Sequence, residues 1–308
     1  MVGQSSFSQY QLGEMPTQFL VKGSNVMSNF GSVEATHHMW LFFSKQVDIL
    51  EKIRVKTLEQ QGEVWSVLMP LLYAISDSSA TVKMISKVGK LRDSFVIGRV
   101  VFETAINAMF ICSQGDEVAR KAKRHAHQKA YRDLERVLEI NSEKISLRWT
   151  GKDSLPNDQE LQDALDEFTS RNGREVTNWT PENVKERIEK ISSKYGTDVS
   201  RRLQFGLLSI YRHASEIAHG SVFGALYVLG LTSPGGIKSP EELEYLQRGQ
   251  LSMTLLMLGL TISALIIVIE TELGDNELTM ESKACFEILK EEPWLKESLQ
   301  SGQGRHIT

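Results

Sequence analysis

The sequence predicts an all-α protein, a single multi-helix bundle domain. Three observations carry this. Apolar residues recur at three- and four-residue spacing along most of the chain. No stretch reads as a strand hairpin, since neither Asn-Gly nor Asp-Gly falls between β-branched runs. Glycine (22) and proline (7) are sparse among the 308 residues, which leaves most of the chain open to regular structure.

The elements follow in chain order. Residues 1–30 are rich in Ser, Gln and Gly and read as a flexible arm. The helical domain covers 31–298, and 299–308 read as a disordered tail. Glu34 to Gln61 presents Trp40, Phe43, Val47, Leu50 and Ile53 at helical spacing. Val64 to Ile75 predicts a second helix that Pro70 kinks or ends, with Asp77-Ser78-Ser79 as a stop. Ala80 to Ser113 holds one or two helices, closed by Gln114-Gly115-Asp116, with Asp116 the expected N-cap of the next. That next helix is expected from Glu117 to Lys144, followed by a loop from Leu147 to Pro156. Asp158 to Ser170 is a short amphipathic helix. Thr180-Pro181-Glu182 has the form of a cap with proline at N1. Asp198 to His219 is a strong helix, and Gly220 ends it. An apolar run, Val222 to Leu231, leads to a turn at Thr232 to Gly236. Ser239-Pro240-Glu241-Glu242 then caps a long helix to Leu273, and Met280 to Lys290 forms a last one.

Composition narrows the function classes. The formal net charge is -4, which argues against a protein that coats nucleic acid through a cationic field. The two cysteines, Cys112 and Cys285, lie far apart and outside any metal spacing, so a reducing, cytoplasmic setting is expected. No cationic start followed by an apolar stretch marks a secretion signal. Leu251 to Ile269 carries no charge and reaches the length of a membrane span. Ser252, Thr254, Thr261 and Ser263 dilute it, and a buried core helix is the reading preferred over a membrane one.

Three polar groups stand out on these helices. Arg212 and His219 are seven residues apart, so on a helix they share a face about 10 Å apart, with Ser215 and Glu216 between them. An arginine holds a phosphate as a permanent forked cation, and a histidine exchanges a proton near neutral pH. Metal-free RNA cleavage needs those two functions. The same residues also suit a purely structural role: Arg212 and Glu216 as an i,i+4 pair, and His219 as a cation at a helix C-terminus. On the apolar helix Phe95 to Cys112, Arg99, Glu103 and Asn107 form a line at four-residue spacing. It either orients the Arg212–His219 face or ties helices together. In the run 120–136, Arg120, Lys121, Arg124, Lys129, Arg132 and Arg136 make a basic face with Tyr131 beside it. This is either a track for an RNA backbone or a solvated helix face. His125 and His127 point apart on a helix, so no metal site is expected there, and no cofactor motif is present.

Arg99-x-x-x-Glu103 together with Tyr211-Arg212-x-x-Ser215-x-x-x-His219-Gly220-Ser221 resembles an uncharacterised family of bacterial all-α proteins met among mobile-element and phage-defence genes. The second motif is similar to the Arg-x(4–6)-His signature of HEPN-type ribonucleases, with six residues between the pair here and His213 as the polar follower. The resemblance covers about residues 91–231. It implies a HEPN-like core with extra N- and C-terminal helices, and a homodimer in which two copies of the motif meet. In that arrangement Arg212 holds the scissile phosphate, His219 is the acid or base, and His213 or Glu103 supports them. It also implies a toxin or phage-defence effector that cleaves RNA without a metal or cofactor. Two alternatives stay open. One is a non-catalytic helical module that binds a nucleotide or a regulatory partner protein. The other, less favoured, is membrane association through 251–269.

Overall fold

The computed structural model describes residues 30–150, 159–232 and 236–292. The expected N-terminal arm (all but Phe30), the C-terminal tail and most of the turn at 232–236 lie outside them. The described residues form a helical bundle with one small two-stranded sheet, an all-α fold as the sequence predicts.

Helix α10 (Pro240–Leu273) is the axis of the bundle. Ser239 caps it by accepting from the Glu242 N–H at 3.2 Å, and Pro240 sits where its missing N–H costs nothing. From Leu251 onward it is buried almost all round, which is why it reads as uniformly apolar. Helices α1 (Val33–Lys56), α3 (Leu91–Gln114) and α7 (Thr197–Gly206) pack against it. Helices α3 and α10 are both long and apolar enough to cross a membrane, and in this fold most of each apolar window is buried against other helices.

Helix α2 (Glu63–Lys87) packs on α3 and runs straight through both expected stops. Pro70 is solvent-facing, where water satisfies the carbonyl its ring leaves unpaired. The Asp77-Ser78-Ser79 stop fails because Leu72, Ile75, Ser76, Ser79 and Val82 continue one buried stripe, and packing of that stripe outweighs serine's weak helix propensity.

Helix α4 (Asp116–Asp133) is shorter than expected. Gly115, with φ 80°, precedes it, and Asp116 is its first residue rather than its cap. Beyond it, strands β1 (Glu135–Ile140) and β2 (Glu143–Arg148) form an antiparallel hairpin where helix and loop were expected. Asn141 and Ser142 both have positive φ (51° and 68°), the conformation of a two-residue turn matched to strand twist. Helix α5 (Gln159–Glu167) packs on α4.

The cap of helix α6 (Val184–Tyr195), Asn183, lies three residues after the predicted cap, Thr180. Asn183 and Glu186 satisfy each other's backbone in a capping box, whereas Thr180 hydrogen-bonds the Glu182 carboxylate. The chain from α7 continues through a π-helical turn, Leu207–Tyr211, into α8 (Arg212–Ala218). Gly220, with φ 64°, closes α8, and α9 (Val222–Val228) follows. Two short helices, α11 (Glu277–Ala284) and α12 (Glu287–Lys290), replace the single one expected, and both pack on α1.

A buried polar chain joins four of these helices. Arg202 of α7, only 3% exposed, donates to Ser263 Oγ of α10 at 2.6 Å and to Asp198 at 2.8 Å, and lies over the Phe286 ring. Ser263 contacts Ser282 of α11 at 2.7 Å, and Ser282 donates to Gln46 of α1 at 2.7 Å. Such a chain rewards one helix arrangement over its slipped alternatives.

The α4–α5 end carries a pH-sensitive element. His125 is buried edge-on against Phe168, at 4.8 Å between ring centres. Burial holds its pKa below the ordinary 6.5; Lys129 acts in the same sense, while the Val176 carbonyl and Glu175 oppose it. The neutral ring therefore contributes stability that is complete above pH 6.5 and is lost as pH falls below it, because only the unfolded chain then takes up the proton readily. The protection of α4 and α5 amides, each rate taken relative to its intrinsic rate at the same pH, is expected to fall as pH drops below ~6.5. His125→Phe is expected to flatten that dependence, and an unchanged slope would refute the assignment.

Candidate functional site

The sequence-predicted residues fall into three places. The first is a solvent-facing stripe along the π turn and α8. Leu208, Arg212, Ser215 and His219 succeed one another at spacings of four, three and four, the repeat of one helix face. Arg212, Glu216 and His219 are exposed and Ser215 half-buried. The Ala214 and Ile217 side chains anchor the opposite face in the core. Arg212 and Glu216 form no ion pair, and neither the Arg212 guanidinium nor the His219 ring has a side-chain partner among the described residues. A long cation and an imidazole are thus held on a fixed helix with their polar atoms uncommitted.

His213 is placed differently. Its ring lies flat on Tyr227 of α9, 4.4 Å between centres and 15° between planes, and its Nδ1 is 3.0 Å from the Ser209 carbonyl. Tyr227 in turn meets the Phe95 edge at 5.9 Å. His213 thus secures α9 against α8.

The second place is a half-buried cluster between α3, α6 and the π turn. Arg99 pairs with Glu103 at 2.8 Å, and its guanidinium carbon lies 5.0 Å from the centre of the Tyr211 ring. The π turn inserts one residue more than an α turn and so sets where Tyr211 sits relative to α8. Gly206, just before it, passes so close to the Phe102 ring that a Cβ there would fall 2.3 Å from it. Asn107 accepts from Arg187 of α6 at 2.5 Å. Arg187 also donates to the Glu182 carbonyl at 2.9 Å and lies 5.7 Å from the Trp179 ring centre. Burial lowers the Arg187 pKa, while Glu103, Glu182 and Tyr211 oppose that shift. The line on α3 thus joins three elements and adjoins the exposed stripe through the peptide link from Tyr211 to Arg212. Sequence reading missed Arg187 and Trp179, because nothing local in a short charged helix marks which arginine turns inward.

The third place is the basic run. Lys121 and Arg124 reach Glu167 of α5 at 3.9 and 2.7 Å, and Lys123 pairs with Glu63 at 2.9 Å. Lys129 reaches Glu175 at 3.6 Å, and Arg136 pairs with Asp133 and with Glu175. Arg132 donates to Gln128 and to Thr169, both at 2.6 Å. Most of these cations fasten α5 and its following loop to α4. Arg120 is exposed and has no ion-pair partner among the described residues. Lys121, Lys123 and Arg124 are partly exposed in their pairs, so a phosphate can compete with the carboxylates for them. No group of three His, Cys, Asp or Glu among the described residues is arranged to hold a metal ion.

Compared with curated proteins and with solved structures, the chain matches none. A family model matches residues 66–237, which runs from α2 to the approach of α10, includes all three places and covers more than half of the chain. The chain belongs to that family of unknown function, DUF5677.

Proposed function

We propose that the protein is a metal-independent endoribonuclease of the HEPN type, acting in the cytoplasm as a homodimer, in the manner of a toxin or phage-defence effector. The observation that carries this reading is the stripe on α8: Arg212 and His219 on one rigid face, exposed, with no side chain among the described residues holding either.

The chemistry requires a base for the 2′-hydroxyl proton and a cation for the phosphate. The 2′-oxygen attacks phosphorus, the bond to the 5′-oxygen breaks, and a proton returns to that oxygen. His219 takes or gives the proton, and Arg212 holds the charge that builds on the phosphate. Within one chain the two lie about 10 Å apart along the axis, two helical turns from each other. Two copies with antiparallel α8 helices bring Arg212 of each toward the partner's His219. Exposed apolar residues suit that contact: Leu208 on the stripe, Val222, Phe223 and Leu226 on α9, and Leu229 at its C-cap. The Arg99–Glu103–Tyr211 cluster supports the start of α8 from beneath.

The products test the mechanism. Cleavage is expected to leave a 2′,3′-cyclic phosphate and a 5′-hydroxyl, and 2′-deoxy or 2′-O-methyl substrates are expected to stay intact. A 3′-hydroxyl product or cleavage of DNA would contradict it. A second reading, a non-catalytic nucleotide- or protein-binding module, predicts binding at the same stripe without turnover.

A further inference from the structure

The hairpin is built with two unlike faces. Side chains alternate along each strand, so the cross-strand pairs sort by face. One face carries Glu135 opposite Arg148, Val137 opposite Ser146, and Glu139 opposite Lys144. Two of those three pairs join opposite charges, which suits a face in water. The other face carries Leu138 opposite Ile145, Leu147 opposite Arg136, and Ile140 opposite Glu143. Trp149 extends it, since its N–H donates to the Leu134 carbonyl at 2.9 Å and continues the ladder.

This second face is uncovered. Leu138, Ile140, Ile145, Leu147 and Trp149 are each between 55% and 66% exposed. Among the described residues the foot of the hairpin meets α4, and Arg136 there also reaches Glu175 in the loop after α5. A lone two-stranded hairpin is marginal in water unless its apolar face is covered. Five side chains of this kind present on the order of 400 Å², a size that marks an interaction surface.

The charges on this face say what covers it. Arg136 stands at the foot and Glu143 at the tip, with the apolar residues between them. A face with opposite charges at its two ends complements a copy of itself laid antiparallel. The tip of one hairpin then lies over the foot of the other. Leu138 and Ile145 meet their own counterparts, and Arg136 lies diagonal to the partner's Glu143, within reach of a long side chain. Arg136 also holds Asp133 and Glu175, which fixes its position at the foot.

We propose that the hairpin is a self-association element whose apolar face stacks antiparallel on the same face of a second copy. The contact is separate from the α8–α9 face and does not depend on the ribonuclease reading. Its area is below the ~800 Å² per partner of a standard interface, so association is weak and concentration-dependent.

Sedimentation velocity of the full chain between about 1 and 100 µM reads it. The wild-type coefficient is expected to rise with concentration beyond that of the α8–α9 dimer, and Leu138→Lys is expected to abolish that further rise with an unchanged far-UV circular dichroism spectrum. Arg136→Glu alone and Glu143→Arg alone are each expected to weaken association at least tenfold. Mixing the two in equal amounts is expected to restore it, because each mixed pair then faces opposite charges at both ends. Association beyond a dimer that Leu138→Lys leaves intact, or the absence of any such association, would overturn the proposal. A mixture no stronger than its components would overturn the antiparallel register. RNA cleavage is scored separately, so loss of one claim leaves the other standing.

Discussion

Arg202→Ala is expected to lower the unfolding free energy by about 3 kcal/mol, whereas Arg202→Met is expected to cost under about 1 kcal/mol. The alanine variant leaves a cavity the size of a guanidinium stem beneath Phe286 and strips a donor from Ser263 in the middle of the buried polar chain. Methionine keeps most of the volume and removes a buried charge whose Nε has no hydrogen-bond partner among the described residues. Asp198, about half exposed, is left to water in either variant. In a chain of this size, 3 kcal/mol corresponds to a fall in Tm of roughly 5 °C. Differential scanning calorimetry of the two variants decides the point: equal losses would mean that charge, not volume, governs the site.

His219→Ala and Arg212→Ala are each expected to reduce RNA cleavage by about 100- to 10,000-fold, the range for losing a general acid–base group or a charge-stabilising cation. Neither side chain has a partner to lose among the described residues, so unfolding free energies are expected to shift by no more than about 0.5 kcal/mol. Arg99→Ala is the contrasting case. It removes the Glu103 pair and the stack on Tyr211, so stability and activity are expected to fall together. Activity at wild-type level in His219→Ala would remove that residue from the chemistry.

The parts of this fold that were legible in the sequence are those set by strong local signals. Ser239-Pro240 with an acidic first turn placed the start of α10, and Gly220 placed the end of α8. The α8 stripe was legible for the same reason, because seven-residue spacing on an uninterrupted helix fixes a shared face. What escaped was decided over long range or by a less common local choice. The hairpin turns on Asn141-Ser142; serine adopts a positive φ less readily than glycine, so the turn lacked its usual mark although β1 and β2 alternate as strands do. The span 77–79 stayed helical because Ser76 and Ser79 fill a buried seam, a fact about its neighbours. The ion pairs that bind the basic run to Glu63, Glu167 and Glu175 join residues about 40 to 60 positions apart, beyond any local pattern.

The most direct test incubates the purified full chain with mixed RNA in EDTA, beside the Arg212→Ala/His219→Ala double variant. Cleavage by the wild type and none by the variant is the expected result, and it assigns a metal-independent ribonuclease centred on α8. Equal cleavage by both proteins, or cleavage that EDTA abolishes, would contradict that assignment.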